Sequence, residues 1–234
     1  MPLPTVILPG FFAGAEDYYP LEQYLNQHGI PSVVVPLRKR DWFPTIGGRS
    51  MVPILQKINV TVKQVLEKYS VPQINLVGHS AGGWIARIYI GEKPYIVHGD
   101  VTEKTIGLWN MYSVVNTLIT LGTPHISQER WTKTNLDFVK NNYPGAFYSQ
   151  VRYVCIAGKA VYGERTFKTW LPYNSYQQTI GRGETWGDGI TPVEAAHLEG
   201  AENLTLDGVW HSPRSPGKWY GSPDVVASWL DYLA

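Results

Sequence analysis

The sequence has a single cysteine and little charge. Because Cys155 is the only cysteine among 234 residues, an internal disulfide and any metal site built from several cysteines are excluded. Charged residues make up 17% of the chain, and 20 Lys and Arg against 19 Asp and Glu leave a formal net charge of +1. No basic surface for nucleic acid is therefore expected.

Long hydrophobic runs are also missing. No stretch approaches the roughly 18 apolar residues of a membrane-spanning helix, and the first residues contain neither a basic segment nor a separate apolar segment of a signal peptide. We expect a cytoplasmic protein, or an organellar one if a transit peptide has been removed. Contact with a membrane would then be peripheral.

Short apolar runs alternate with segments of helical periodicity, which is typical of a parallel sheet covered on both faces. Helices are predicted over 17–28, after Ser50 as N-cap, and after Ser222 near the C-terminus. The predicted strands are residues 5–8, 32–35, 73–77, 115–121, 152–157 and 203–206. The sequence therefore predicts one α/β domain over 1–234, with a mostly parallel central sheet of about six strands flanked by helices on both faces.

Two long stretches, 126–150 and 159–187, do not fit this alternation and are interpreted as irregular insertions. Insertions of this length in a compact domain are usually functional or mobile. Both are rich in aromatic residues, so we expect lid or cap segments that wall an apolar pocket. The alternative is that these aromatics pack locally against the rest of the molecule.

The segment GHSAG at residues 78–82 matches the pattern G-x-S-x-G, between a predicted strand and a predicted helix. The chemistry needs a very tight turn that pushes the serine hydroxyl out of the sheet edge. Gly78 and Gly82 leave room for that turn. Ser80 would then lie at a helix N-terminus, whose free N–H groups favour a developing oxyanion. The pattern predicts Ser80 as a nucleophile.

A serine nucleophile needs a histidine base and an acid that orients it, and in this strand-turn-helix context they follow the serine in the order acid, then histidine. His211 follows the last predicted strand on a loop and is the predicted base, with His197 as the alternative. The other histidines are His28, His79, His98 and His125. Asp188 lies between two glycines and is the predicted acid, with Asp207 as the competitor.

The oxyanion of the intermediate needs two backbone donors. The residue after the nucleophile, Ala81, supplies one by this pattern, and the loop after the first strand supplies the other. In this chain that loop places Phe11 as the second donor, and Gly10 permits the turn.

Three segments, GHSAGG at 78–83, TLGTPH at 120–125 and GDGITP at 187–192, precede His211 in this order. Together they resemble the lipase and esterase branch of the α/β-hydrolase superfamily, in particular small lipases and GPI inositol-deacylase-like lipases. The resemblance extends from residue 5 to residue 233. It implies the α/β-hydrolase fold, with Ser80, Asp188 and His211 as the triad and Phe11 and Ala81 as the oxyanion hole. The first loop departs from it, because Pro9 and Gly10 stand where such lipases commonly have His-Gly.

The expected activity is hydrolysis of a carboxylic ester, from a small molecule or a lipid, through an acyl-enzyme. No metal or organic cofactor is implied. Candidate residues of the substrate pocket are Phe12, Trp84 and His125. The alternatives are an acyltransferase or another non-hydrolytic enzyme of this fold, or a ligand-binding protein that retains the triad.

Overall fold

The structure is a computed structural model that describes residues 2–97 and 107–234. Of the predicted features, His98 lies outside these residues. In the described ranges, eight strands are numbered in chain order: β1 (Thr5–Leu8), β2 (Ser32–Val34), β3 (Ile74–His79), β4 (Val115–Leu121), β5 (Arg152–Lys159), β6 (Val161–Tyr162), β7 (Trp186–Gly187) and β8 (Glu202–Asp207).

Six of these strands form one parallel sheet in the order β2-β1-β3-β4-β5-β8. The strands β6 and β7 form a separate antiparallel pair. The six predicted strands are all present, and β3 and β5 continue two residues beyond their predicted ends. The prediction of a mostly parallel, six-stranded sheet is confirmed.

Helices cover both faces of the sheet. They are α1 (Tyr19–Gln27), α2 (Val52–Tyr69), α3 (Ala81–Ile90), α4 (Arg130–Asn142), α5 (Trp170–Ile180), α6 (Val193–Ala196) and α7 (Pro223–Val226). Along β1, Val6 and Leu8 pack into the apolar cluster that holds α2 and α3, whereas Ile7 packs into the cluster that holds α1. Because side chains alternate along a strand, every strand buried on both faces reads as a continuous apolar run.

The expectation that residues 126–150 and 159–187 are irregular is wrong, because both contain regular secondary structure. The first, 126–150, contains α4, whose N-cap Glu129 accepts hydrogen bonds from the N–H groups of Trp131 and Thr132. The second, 159–187, contains β6, α5 and β7. This helix is polar overall and buries only Asn135, Leu136 and Val139, so few apolar residues mark it as a helix in the sequence.

Two predicted helix ends also differ. Met51, not Ser50, is the N-cap of α2, and the Ser50 hydroxyl accepts from the N–H of Val52 at 3.3 Å. The final helix is a short α7 followed by a 3-10 turn over Leu230–Leu233. A tertiary hydrogen bond from Trp229 Nε1 to the carbonyl of Tyr220 lies at this break. No helix in the described ranges is long and apolar enough to cross a membrane.

Candidate active site

Ser80 lies in the turn that joins β3 to α3, with φ 50° and ψ −121°. The neighbouring glycines are required by close backbone contacts. A Cβ on Gly78 would lie 2.5 Å from Gly83 Cα, and one on Gly82 would lie 2.4 Å from the carbonyl oxygen of Leu8. The turn therefore holds its tight shape only with glycine at both positions, and the serine side chain is lifted from the sheet edge.

His211 lies on the loop after β8 and contacts both partners predicted for it. The Ser80 hydroxyl lies 3.0 Å from His211 Nε2, and His211 Nδ1 lies 2.7 Å from Asp188 Oδ2. The N–H of His211 also donates to the carbonyl of Asp188 at 2.9 Å. Because the carboxylate accepts from Nδ1–H, Nε2 is left free to accept the serine proton.

Asp188 follows β7 and is buried, yet it accepts four hydrogen bonds. Oδ1 accepts from the N–H groups of Ile190 at 2.9 Å and Thr191 at 2.7 Å. Oδ2 accepts from His211 and from the Tyr220 hydroxyl, each at 2.7 Å. Burial acts to raise the pKa of Asp188, but the His211 imidazole and these donors outweigh it and leave the pKa below its usual range. The carboxylate is therefore held ionised beside the imidazole.

The two alternatives from the sequence lie elsewhere. His197 Nε2 is 3.1 Å from the Thr205 hydroxyl, on a neighbouring part of β8. Asp207 forms an exposed ion pair with Lys159 across β5 and β8, at 3.6 Å. Neither lines the cavities at Ser80 described below.

Phe11 and Ala81 both line a cavity beside Ser80. Ala81 is the first residue of α3, and Phe11 belongs to the loop after β1. That loop lies directly against the turn of Ser80, because a Cβ on Gly10 would be 3.1 Å from Ser80 Cβ and 3.0 Å from His79 Nδ1.

Sequence reasoning missed two groups that hold this arrangement. One is Tyr220, whose hydroxyl donates to Asp188 and accepts from the N–H of Gly158 at 2.7 Å. The other is the pair of His79 and Tyr18, in which the Tyr18 hydroxyl lies 2.6 Å from His79 Nδ1. His79 belongs to the recognised GHSAG segment, but its partners come from distant parts of the chain.

Two cavities meet at Ser80. The larger, about 300 Å³, has Trp84 in its wall together with residues of both insertions. The smaller, about 260 Å³, is lined by His211, Phe12 and Arg214 among others. The larger cavity includes Ala81 but not His211, and the smaller includes His211 but not Ala81.

Only some aromatic residues of the insertions take either of the two roles expected for them. Trp131 lines the larger cavity, as do Ser175, Gln178 and Thr179 of α5. Four others are buried packing residues: Tyr143, Tyr148, Tyr173 and Tyr176. A further five have neither role and are exposed: Phe147, Tyr162, Phe167, Trp170 and Trp186. The Tyr176 hydroxyl also accepts from the N–H of Gly189, which ties α5 to the loop of Asp188.

His125 lines neither of the two cavities at Ser80, so its predicted place in the pocket is corrected. It is buried, with Nδ1 3.2 Å from Arg87 and Nε2 3.5 Å from the thiol of Cys155. Burial, together with Arg87, holds the pKa of His125 well below its ordinary value. Burial raises the pKa of Cys155 to about 11. This pair forms part of the interior behind β4 and β5.

Among residues 2–97 and 107–234, no group of three or more His, Cys, Asp or Glu side chains is placed to hold a metal ion.

A family model described as an alpha/beta hydrolase of unknown function (DUF915) matches residues 54–153. A search of curated proteins finds no match to the sequence. The structure is similar to Bacillus licheniformis lipase BlEst2, with TM-score 0.63, 17% identity, and coverage of 99% of this chain and 91% of that chain.

Two further solved structures share the architecture. EstA from Clostridium botulinum has TM-score 0.58 and 10% identity, and covers 100% of this chain and 87% of its own. Monoacylglycerol lipase from Paleococcus ferrophilus has TM-score 0.53 and 11% identity, with 100% and 97% coverage. The chain has the α/β-hydrolase fold, and the resemblance to that superfamily is confirmed.

Proposed function

We propose that this α/β-hydrolase-fold chain is a serine hydrolase that cleaves carboxylic esters through an acyl-enzyme. One observation carries the proposal: Ser80, His211 and Asp188 are connected by contacts of 3.0 Å and 2.7 Å. An isolated serine hydroxyl is a weak nucleophile, and this arrangement supplies the base and the orienting carboxylate that it needs.

In the first half-reaction His211 Nε2 takes the hydroxyl proton while Ser80 Oγ attacks the ester carbonyl carbon. The carbonyl oxygen becomes an oxyanion, which the N–H groups of Phe11 and Ala81 stabilise. The intermediate collapses as the carbon–oxygen bond to the alcohol breaks, and the alcohol oxygen takes the proton from His211. Asp188 remains ionised throughout and stabilises the imidazolium.

In the second half-reaction water replaces the alcohol. His211 takes a proton from the water, whose oxygen attacks the acyl carbon. The new intermediate then releases the carboxylic acid, and the proton returns to Ser80 Oγ. The products are one alcohol and one carboxylic acid, and the enzyme is regenerated.

The two cavities suggest where each half of the ester lies. His211 must reach the leaving oxygen, so the alcohol belongs in the smaller cavity, which His211 lines. The acyl group then lies in the larger cavity, against Trp84 and between α4 and α5. An apolar wall of this kind favours an acyl chain over a polar group.

The test compares Ser80→Ala with Ser149→Ala, an exposed serine outside the site. Hydrolysis of p-nitrophenyl esters is measured together with labelling by a fluorophosphonate, followed by peptide mass spectrometry. We expect Ser80→Ala to lower kcat by about 10⁶-fold, by analogy with the subtilisin triad, and to lose the label. Ser149→Ala should behave as the wild-type protein.

Labelling of another serine, or turnover that survives Ser80→Ala, would contradict the proposal. Supplying an alcohol in the same assay separates the alternatives. An acyltransferase would form a new ester in preference to free acid, and a binding protein with a misassembled site would neither turn over nor label.

A further inference from the structure

A short surface segment, residues 165–171, displays three large apolar side chains to solvent. Phe167 is fully exposed, at 102% of its reference area, and Leu171 and Trp170 are 71% and 57% exposed. A single exposed apolar residue is ordinary, but a contiguous apolar patch on a water-exposed surface usually marks an interaction site. We refer to residues 165–171 as the apolar segment.

The fold holds this segment in place. Thr169 donates to the carbonyl of Glu164 at 3.0 Å, and its hydroxyl lies 2.8 Å from that of Thr166. Arg165 Nε donates to the hydroxyl of Tyr173 at 2.6 Å. These contacts order the turn that leads into α5 and present Phe167 at its tip.

The exposed side chains are not the packing face of α5. That helix buries Tyr173, Tyr176 and Thr179. Trp170 and Leu171, in its first turn, lie outside that set and are exposed. Aromatic and aliphatic side chains that are exposed at the start of a helix can enter the interfacial region of a lipid bilayer, where aromatic rings are favoured.

Two cations accompany the apolar side chains. Arg165 and Lys168 line an open concavity of about 600 Å³ together with Phe167 and Leu171. In the part of the chain that the structure describes, neither cation forms a salt bridge. Residues 165–171 contain no carboxylate, so the segment itself is positively charged, with Glu164 before it in the chain and Glu184 close enough to act on Arg165. Its charge complements an anionic lipid headgroup.

We propose that the apolar segment docks the protein on a lipid bilayer that contains anionic lipids. Phe167, Trp170 and Leu171 enter the interfacial region, where aromatic rings are favoured, and Arg165 and Lys168 lie at the level of the phosphates. The next turns of α5 supply Ser175, Gln178 and Thr179 to the larger cavity. Docking therefore brings the cavity wall to the lipid surface, and the inference that a membrane ester is the substrate rests on the proposed function.

The binding test uses the full chain with Ser80→Ala, so that no lipid is hydrolysed. Cosedimentation is measured with phosphatidylcholine vesicles, with and without phosphatidylglycerol. Phe167→Asp and Leu171→Asp should each lower partition onto the anionic vesicles by about tenfold or more, because each removes an apolar side chain that the docked bilayer would bury. The matched control is Val60→Asp on α2, an exposed apolar position elsewhere.

The charge contribution is tested separately. Arg165→Gln and Lys168→Gln should each lower binding to anionic vesicles by about fivefold, which corresponds to the usual contribution of one basic residue near such a surface. Added salt should lower the binding of the wild-type protein to anionic vesicles, because it screens the same charges. Neither substitution should affect binding to pure phosphatidylcholine.

Several results would overturn the proposal. They are absence of binding to either vesicle, equal binding by the Phe167→Asp and Val60→Asp proteins, or a dimer by light scattering that Phe167→Asp dissociates. In the active protein, Phe167→Asp should lower hydrolysis of vesicle-borne esters and leave a short water-soluble ester unaffected. If the proposed function is wrong, neither the vesicle-borne nor the water-soluble ester is hydrolysed through Ser80, yet the protein still binds vesicles. The two proposals therefore fail in distinguishable ways.

Discussion

His79 Nε2–H donates to the backbone carbonyl of His211 at 2.7 Å. A carbonyl can only accept, so Nε2 carries the hydrogen. Because burial lowers the pKa of His79 to about 3, the imidazole is neutral, and Nδ1 accepts from the Tyr18 hydroxyl at 2.6 Å. The same hydroxyl oxygen accepts from the N–H of Gly10 at 2.9 Å. One buried imidazole therefore joins the turn of Ser80 to the His211 loop and, through Tyr18, to the loop of Phe11.

This connection predicts that His79 positions the base. His79→Ala leaves the His211 carbonyl without its donor and the Tyr18 hydroxyl without its acceptor, so we expect kcat for a soluble ester to fall about tenfold with little change in KM. His79→Gln keeps an N–H near the position of Nε2 and should recover most of the loss. Steady-state kinetics, with circular dichroism as a check of folding, test this. Wild-type kcat in His79→Ala, or no difference between the two variants, would contradict the role.

The same side chain predicts a pH dependence of stability. Burial, and then the nearby His211, lower the pKa of His79 from 6.5 to about 3 in the folded protein. As the pH falls from 6.5 towards 3, the unfolded chain takes up a proton that the folded chain does not, so the free energy of unfolding decreases with acidification. One such group contributes a slope of up to about 1.4 kcal/mol per pH unit.

Urea unfolding across this pH range measures the slope. His79→Gln should flatten it, whereas His28→Gln, at the exposed end of α1, should leave it unchanged. An identical slope in the wild-type and His79→Gln proteins would show that His79 does not stay neutral in the folded state.

Asp188 and Asp207 provide a matched pair of carboxylates. Asp188→Asn should lower kcat by about 10⁴-fold, by analogy with the equivalent change in a serine protease, because the amide favours the wrong tautomer of His211. Asp207→Asn removes only an exposed ion pair with Lys159 and should leave kcat unchanged. Ester hydrolysis by both variants decides between the two acids, and a larger loss in Asp207→Asn would reverse the assignment.

Local sequence signals were sufficient for much of this architecture. Residues 5–8 and 115–121 are strands with the predicted bounds, since breakers mark their ends: Pro4 and Pro9 flank the first, and Gly122 follows the second. The GHSAG segment likewise predicts its own turn, because the glycines and serine are adjacent. The partners of His79 are Tyr18 and the His211 carbonyl, 61 and 132 residues away in the chain. Such contacts, like that of Tyr220 with Asp188, are determined by tertiary packing and leave no periodic pattern.

The larger cavity at Ser80 predicts how the preference for acyl-chain length can be altered. Gln178 on α5 lines it, whereas the adjacent Gln177 does not. Gln178→Trp should fill part of the space and lower kcat/KM for octanoate esters about tenfold relative to acetate esters. Gln177→Trp should leave this ratio as in the wild-type protein. The ratio of kcat/KM values over a series of p-nitrophenyl esters is the measurement, and equal profiles for both variants would place the acyl chain elsewhere.

The backbone angles of Ser80 lower the stability of the folded protein. A φ of 50° with ψ −121° is adopted easily by glycine and with strain of about 1–3 kcal/mol by other residues. Ser80→Gly should therefore melt at a higher temperature than the wild-type protein, while Ser80→Ala, which keeps its Cβ, should not. Of these three proteins, the one with the highest melting temperature would thus lack the reactive hydroxyl. Thermal stability and reactivity therefore compete at a single residue.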